Sequence, residues 1–388
     1  MNRDLPATKP APNGIGPASH GIGPVSHGIG PALHGTGRPV LLEVTNARAA
    51  YATPGGKMVE AVSNVNLELR DGEILGIAGE SGCGKSTLAA VMAAAVRPPL
   101  RVLAGQLNVQ GQVFDLTRQA TLPQALRGAL VSILPQGALN SLNPTRRVSD
   151  LAFEVLRAHD PRMTRKAARE RAATRLETLG LPLRALDAYP HQLSGGMKQR
   201  VVAVISTLLN PAVLIADEPT SALDVSSQAA LAALLQDMLA RKVIRGIIFI
   251  THDLPLLRTI ATRIAIMYAG QVVELGGADA LVDDSAHPYT AALLGSILVP
   301  EPRMRAGRVE GIPGAPPDLR NPPSGCRFHP RCTRVVETCR QMTPPLSTQV
   351  GAGKDPERQA ACWRPLTEPD TSPAAGIEAG ALLAGGPL

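Results

Sequence analysis

One segment of this chain has the residue types and spacing of a phosphate-binding loop. Residues 79–86 read Gly-Glu-Ser-Gly-Cys-Gly-Lys-Ser and follow the apolar run Ile74–Ala78. Glycines let backbone N–H groups approach a polyphosphate, and the start of the following helix favours negative charge. The lysine of such a loop reaches the β- and γ-phosphates, and its serine ligates Mg²⁺. The residues predicted to bind the phosphates and metal are Gly79, Ser81, Gly82, Gly84, Lys85, Ser86 and Thr87.

A pair of acids closes a second apolar run. Val213–Ala216 is followed directly by Asp217 and Glu218. A buried strand that ends in aspartate can present its carboxylate to Mg²⁺. Taken alone, the run would be an ordinary strand with a solvated acidic end. Because a complete phosphate loop precedes it, the pattern predicts that Asp217 binds the metal.

Short apolar runs alternate with helical periodicity from Leu41 onward, which predicts an α/β domain. Helices are expected from Lys85, Ser194 and Ser226. Between Gln136 and Leu193 the helical pattern continues without a strand signal, which predicts an inserted helical subdomain. The predicted strands are 41–44, 74–78, 131–134, 213–216, 247–250 and 264–267.

Further motifs resemble those of the ABC ATPases. Residues 193–200, Leu-Ser-Gly-Gly-Met-Lys-Gln-Arg, look like that family's signature motif. Gln136 resembles its Q-loop glutamine, residues 217–224 its acidic strand end and D-loop, and Thr251-His252-Asp253 its switch histidine. Tyr51 resembles the aromatic that stacks on adenine, although the turn Thr53–Gly56 beside it is equally consistent with a packing role.

The resemblance implies a RecA-like P-loop NTPase core with an antiparallel β subdomain, an inserted helical subdomain and ATP and Mg²⁺ as cofactors. It implies that Glu218 polarises the attacking water and that His252 and Gln136 contact the γ-phosphate, the water or the metal. Lys85 would stabilise charge during transfer. The signature residues expected to face the ATP of a second ATPase subunit are Ser194, Gly195 and Gly196, with Asp224 in the D-loop. A dimer follows, with an identical chain or, as the resemblance favours, a paralogue.

Two other segments resemble the peptide and nickel importers within that family. The first is residues 136–144, which resemble the Q-loop region of those importers. The second is His287-Pro288-Tyr289-Thr290 followed by residues 311–317, which resembles the C-terminal extension of oligopeptide and dipeptide transporter ATPases. The resemblance implies ATP hydrolysis coupled to peptide uptake, with two permease subunits and an extracytoplasmic binding protein as partners. The helical subdomain would dock the permeases. Import of nickel or another small solute is the alternative.

Four of the five cysteines lie in this C-terminal region, at positions 326, 332, 339 and 362. Zinc ribbons usually contain two close cysteine pairs, which this spacing lacks, whereas four thiolates on a loop-rich scaffold suit an iron–sulfur cluster. Peptide importers with a similar cysteine set carry a [4Fe-4S] cluster, so the resemblance favours the cluster over zinc or unligated thiols. The predicted ligands are Cys326, Cys332, Cys339 and Cys362.

Composition limits the remaining possibilities. Aromatic residues make up only 2% of the chain, which argues against stacking on single-stranded nucleic acid. A DNA- or ribosome-acting ABC ATPase is a further alternative, but no coiled-coil arm or second ATPase domain is visible. The net charge of +7 suits an anionic membrane surface or a solvated basic face. No signal peptide or membrane span is recognisable, so we expect the chain at the cytoplasmic face of the cell membrane.

Changes in composition along the chain predict its division into domains. Residues 1–38 form a Gly/Pro/His repeat tail, with His20, His27 and His34 as solvated or weakly metal-binding side chains. Residues 39–285 form the ATPase domain, with 137–193 as its helical subdomain. Residues 286–366 form a small Cys-rich module, and residues 367–388 form a disordered tail.

Overall fold

The computed structural model of the chain describes residues 37–137, 142–221, 223–296, 311–348 and 355–367. The histidine repeat, residues 138–141 of the importer-like segment, and the C-terminal tail beyond residue 367 lie outside the described residues.

The described part contains two sheets and several helices that alternate along the chain. The strands are β1 (Val40–Ala52), β2 (Met58–Arg70), β3 (Ile74–Ala78), β4 (Leu100–Val109), β5 (Gln112–Asp115), β6 (Val131–Leu134), β7 (Val213–Asp217), β8 (Gly246–Ile250), β9 (Arg263–Tyr268), β10 (Gln271–Gly277), β11 (Ser347–Thr348) and β12 (Gln359–Ala360). The helices are α1 (Lys85–Met92), α2 (Val148–His159), α3 (Arg165–Thr178), α4 (Gly195–Thr207), α5 (Val225–Ala240), α6 (Leu254–Ile260), α7 (Ala278–Asp283), α8 (Pro288–Gly295) and α9 (Glu337–Gln341).

The larger sheet has eight strands in the order β11-β12-β10-β9-β3-β8-β7-β6. Strands β9, β3, β8, β7 and β6 run parallel to one another, and β10 and β12 extend the sheet in antiparallel pairing. Each predicted strand is confirmed, although β1 extends well past its predicted end. Because the carboxyl ends of parallel strands share one edge, the loops after β3, β6, β7 and β8 meet there.

The parallel strands are covered on both faces, which explains their continuous apolar sequence. In β3 the side chains of Ile74 and Ala78 belong to one buried cluster, and those of Leu75 and Ile77 belong to another. The first cluster lies against the helices, and the second lies against the smaller sheet. This burial on both faces holds the carboxyl edge of the sheet rigid.

The smaller sheet is antiparallel, with the order β2-β1-β4-β5. The antiparallel subdomain expected from the resemblance is therefore present. Strands β2, β4 and β5 were not located in the sequence, because only the first residues of β1 showed a clear apolar run. Tyr51 lies near the end of β1, paired with Val59 and Leu100.

Between β6 and β7 the described residues form the helices α2, α3 and α4. Helices α2 and α3 pack through Phe153, Leu156 and Leu176 onto the cluster that includes α4. On the surface, Arg169 forms a paired contact with Asp187, with N···O distances of 2.7 and 2.8 Å. The insertion and the ATPase core thus share one hydrophobic cluster.

The C-terminal region packs onto the larger sheet. Residues of β12 pair with β10, and the buried Arg358 contacts Asp284. Glu274 in β10 accepts hydrogen bonds from the backbone of Ala286 and His287 at 2.7 and 3.0 Å. The region predicted as a separate small module therefore completes the sheet of the ATPase core. Across the described residues, every helix is too short or too polar to cross a bilayer.

Candidate nucleotide site

The loop between β3 and α1 is shaped by glycines at positions that exclude any side chain. Gly79 has a φ of 152°, and a Cβ there would lie 2.2 Å from the carbonyl oxygen of Met267. Gly84 has a φ of 108°, and its Cβ would lie 2.1 Å from the carbonyl oxygen of Ala61. Both oxygens belong to the backbone, so neither contact is relieved by rotating a side chain. Backbone packing therefore fixes the path of the loop at the start of α1, the kind of helix start that phosphate binding uses.

Lys85 lies inside this loop and is only 5% exposed. Its Nζ donates to the carbonyl oxygens of Gly79 and Glu80 at 2.8 and 3.0 Å. These bonds hold the ammonium group beside the loop amides. The predicted phosphate-binding lysine is thus in place.

Ser86 and Asp217 approach each other from different elements. Ser86 Oγ in the first turn of α1 donates to Asp217 Oδ1 at the end of β7, at 3.1 Å. Burial raises the pKa of the Asp217 carboxyl, and the hydrogen bond from Ser86 opposes this rise. A hydroxyl and a carboxylate are the oxygen ligands that Mg²⁺ prefers, and a cation here would favour the ionised carboxylate. These residues fit the metal role predicted for them.

Glu218, Gln136 and His252 meet at the same edge of the sheet. Glu218 Oε2 lies 3.4 Å from Gln136 Nε2, and Glu218 Oε1 lies 3.7 Å from His252 Nδ1. Glu218 has a φ of 44°, an unfavourable conformation for a residue with a side chain, and its N–H donates to Ile250 O at 2.9 Å. The structure therefore brings together the three side chains expected to act on water and γ-phosphate.

Tyr51 contacts the phosphate-binding helix. Its hydroxyl lies 3.1 Å from Thr87 Oγ1, and its residue is 36% exposed. An exposed ring beside α1 is available to a flat ligand, which is the position that the stacking prediction needs. The contact with Thr87 agrees equally with the packing role, so the stacking role of Tyr51 stays a prediction.

The signature residues are placed apart from the phosphate loop of the same chain. Ser194 caps α4 by accepting a hydrogen bond from Met197 N at 3.4 Å, and a Cβ on Gly195 or Gly196 would meet nothing within 4 Å. Among the hydrogen bonds of the described residues, none joins this turn to residues 79–87. The exposed helix start is therefore free to meet a ligand held by another chain.

Asp224 lies at the start of α5, where it caps the helix. Its carboxylate accepts hydrogen bonds from the Ser226 and Ser227 hydroxyls and from Ser227 N, and these bonds lower its pKa. The structure gives Asp224 this capping role. The predicted contact of Asp224 with the nucleotide of a second subunit stays a prediction.

The four C-terminal cysteines lie near one another and form no disulfide. Gly325 has a φ of 62°, and a Cβ there would lie 2.4 Å from Cys339 O, so glycine permits Cys326 to approach Cys339. Burial raises the pKa of Cys326 to about 11 and that of Cys362 to about 12, and the neighbouring cysteines contribute to both rises. Among the described residues, however, no group of three or more His, Cys, Asp or Glu side chains is placed to hold a metal ion.

Two residues that support the phosphate loop, Tyr289 and Arg331, are not predicted by any motif in the sequence. Tyr289 OH accepts a hydrogen bond from Glu80 N at 2.9 Å, and Arg331 pairs with the Glu80 carboxylate. Arg331 precedes Cys332 directly, and this position gives no indication of a contact with residue 80. Tyr289 had a signal, since aromatic residues are scarce in this chain, but neither spacing nor residue type indicated its partner.

Comparison with known proteins agrees with this geometry. A family model described as ABC transporter matches residues 62–221, and one described as the oligopeptide/dipeptide transporter C-terminal region matches residues 273–339. The chain is 38% identical over 307 residues to the dipeptide transport ATP-binding protein DppD of Caldanaerobacter subterraneus subsp. tengcongensis, covering 79% of this chain and 92% of that protein. The chain belongs to the ABC transporter ATP-binding family.

Other members of the ABC family extend the comparison. The oligopeptide transport ATP-binding protein OppD of Bacillus subtilis is 41% identical over 311 residues, covering 79% of this chain and 85% of that protein. Among solved structures, the ATP-binding cassette MJ0796, a dimer in a post-hydrolysis state with ADP and Pi, is 25% identical with a TM-score of 0.51. The match covers 61% of this chain and 99% of the MJ0796 chain. The ABC ATPase fold and its ATP-hydrolysing activity are thus established for this chain.

The glycine geometry predicts that Gly79→Ala destabilises the protein. Its Cβ would overlap the Met267 carbonyl oxygen, so the strand and the loop would have to separate. We expect a loss of about 1–3 kcal/mol in the free energy of unfolding, measured by denaturant titration of the full chain. Gly82→Ala is the matched control, because Gly82 has a φ of 80° but a Cβ there meets nothing within 4 Å. Equal losses in the two variants would contradict the overlap argument.

Proposed function

We propose that this ABC ATPase drives the uptake of di- and oligopeptides through separate membrane permeases. The observation that carries the proposal is the meeting of Lys85, Ser86, Asp217 and Glu218 at one sheet edge, in a chain whose residues 273–339 match the oligopeptide/dipeptide transporter region. The first feature supplies ATP hydrolysis. The second, together with relatives named for dipeptide and oligopeptide transport, supports peptide as the solute.

The chain's own residues account for the steps of hydrolysis. The loop amides and Lys85 bind and orient the phosphates, and Ser86 and Asp217 would hold Mg²⁺, which neutralises charge on them when bound. Gln136 donates through Nε2 to Glu218, which leaves its amide oxygen available to the metal. Glu218 accepts a proton from the attacking water. His252 Nδ1 lies 3.7 Å from Glu218 Oε1, the carboxylate oxygen that does not face Gln136.

The functional unit would be a pair of ATPase subunits. The signature turn at Ser194–Gly196 is exposed, and His252 has 66% of its side chain exposed. ATP bound to one chain would therefore be enclosed by the signature turn of a second chain, either a copy or a paralogue. Asp224 lies at the start of a helix that the second chain would approach.

The remaining partners follow from the same assignment. Two integral-membrane permeases would dock on the helical subdomain, residues 137–193 of the ATPase domain 39–285, at the cytoplasmic face of the membrane. An extracytoplasmic protein would deliver peptide, and nucleic acid would play no part. Nickel or another small solute is the competing cargo.

Transport assays separate these solutes. We expect the chain, assembled with its permeases and binding protein in vesicles containing ATP, to take up labelled dipeptides and oligopeptides. Unlabelled peptide should abolish this uptake, and Ni²⁺ should leave it unchanged. Competition by Ni²⁺ alone, or ATPase activity that rises with duplex DNA but not with permease, would reject the proposal.

The position of Glu218 predicts the behaviour of Glu218→Gln. Removing the proton acceptor should lower turnover by about 100-fold or more, while ATP binding persists, because the loop and Lys85 are unchanged. Nucleotide affinity, hydrolysis rate and ATP-dependent dimerisation measured on the purified chain test this expectation. Glu170→Gln, on the exposed face of α3, is the control. Hydrolysis at the normal rate in Glu218→Gln would disprove the assigned role.

We also propose that Cys326, Cys332, Cys339 and Cys362 bind a [4Fe-4S] cluster in the module of residues 286–366. The backbone N–H groups of Arg334 and Arg364 donate to the Sγ atoms of Cys332 and Cys362, each at 3.4 Å, and such bonds favour thiolates. Four sulfurs around one zinc ion would lie within about 4 Å of one another. A four-iron core is larger than one zinc ion and would bind four cysteines spread over a wider site.

Metal analysis tests the cluster. Anaerobically purified protein should be brown and contain about four irons per chain, and Cys332→Ser should lose iron. Cys83→Ser is the matched control, since Cys83 is also a free cysteine but lies in the phosphate loop. Zinc without iron in the wild-type protein would overturn the proposal.

A further inference from the structure

The C-terminal region reaches into the nucleotide site at Glu80. Arg331 is 251 positions away in sequence, yet its Nη1 and Nη2 lie 2.7 and 3.1 Å from the two carboxylate oxygens of Glu80. The Arg331 side chain is only 6% exposed. A buried, two-point contact between guanidinium and carboxylate fixes the orientation of both groups.

Other contacts hold Arg331 in this position. Its Nε donates to Pro313 O at 2.7 Å, and its Nη1 donates to Tyr268 OH at 3.3 Å. The hydrogen bond to Glu80 is the largest cause of a raised pKa for Arg331. The guanidinium is thus held by two segments as well as by the phosphate loop.

Tyr289 fixes Glu80 from the backbone side. The N–H of Glu80 donates to Tyr289 OH at 2.9 Å, and Tyr289 is fully buried. Its ring packs against Tyr268 and Phe328, with centroids 4.5 and 5.3 Å away. The chain contains only four tyrosines and four phenylalanines, and three of these eight residues pack together beside Glu80.

The negative charge of Glu80 lies in the loop that is assigned to phosphate binding, so its contacts with Arg331 and Tyr289 affect nucleotide binding. Glu80 follows Gly79 in the loop, and its carbonyl oxygen accepts from Lys85 Nζ at 3.0 Å. A carboxylate without a partner here would repel a polyphosphate and compete for the Lys85 ammonium group. The contact with Arg331 removes both effects and keeps the backbone of Glu80 in place.

We propose that Arg331 is a positioning residue of the nucleotide site, which neutralises and orients Glu80 so that the phosphate loop accepts ATP. The C-terminal region then acts on the ATP site of its own chain. The proposal rests on the assignment of residues 79–87 as the phosphate site. It adds a contribution from residues 286–366 to ATP affinity.

A charge-relief experiment tests this role. Affinity for ATP is measured on the full chain for Arg331→Met, Glu80→Gln and the double variant, with thermal unfolding recorded for each. We expect Arg331→Met to bind ATP about tenfold more weakly. Glu80→Gln should bind within about threefold of wild type, and Glu80→Gln added to Arg331→Met should restore binding to that level. Thermal unfolding distinguishes weaker ATP binding by a folded variant from loss of the fold.

Controls separate the possible outcomes. Arg320→Met removes a different arginine–carboxylate pair of the same region, the exposed contact with Asp318, and should leave affinity unchanged. If Arg331→Met fails to fold, Arg331→Lys replaces it, with about a threefold loss that Glu80→Gln relieves. Lys85→Ala should abolish ATP binding and so shows that the phosphate site is correctly assigned. Given that result, the proposal is overturned if the Arg331 variant binds ATP with unchanged affinity. It is also overturned if the variant binds more weakly and Glu80→Gln does not relieve the loss. Unchanged binding in Lys85→Ala would instead reject the phosphate site itself.

Discussion

The close packing of the phosphate loop against backbone carbonyls constrains the rest of this structure. The carbonyl oxygens of Met267 and Ala61 lie where the Cβ atoms of Gly79 and Gly84 would be, so the loop has one available path. Met267 belongs to the parallel sheet, and Ala61 belongs to the antiparallel one. The two sheets must therefore be in place before the loop can present its amides. This explains why a nucleotide site made of backbone needs a large, rigid core.

Charge is distributed in the site so that few groups remain uncompensated. Lys85 is held by loop carbonyls, Asp217 by Ser86, and Glu80 by Arg331. Glu218 differs, since its partners Gln136 and His252 are 3.4 and 3.7 Å away and its backbone has an unfavourable φ of 44°. Loosely held side chains suit a group that must exchange partners during hydrolysis.

The site within one chain is open on the side of His252 and separate from the exposed signature turn. A single chain therefore brings together the residues proposed for phosphate binding, metal binding and proton transfer, while Ser194–Gly196 lie exposed at the start of α4. This arrangement is the basis for the proposed pair of ATPase subunits. The helical subdomain shares a hydrophobic cluster with α4, and the signature turn lies at the start of that helix.

The sequence by itself determined the phosphate loop, the acidic pair and the signature turn, because each of these functions depends on residues that are neighbours in the chain. It also located the parallel strands, whose burial on both faces leaves uninterrupted apolar runs. Only the tertiary structure decided that β12 completes the main sheet and that Arg331 reaches Glu80. Such contacts join segments far apart in sequence, and they form only when packing of the whole chain brings those segments together.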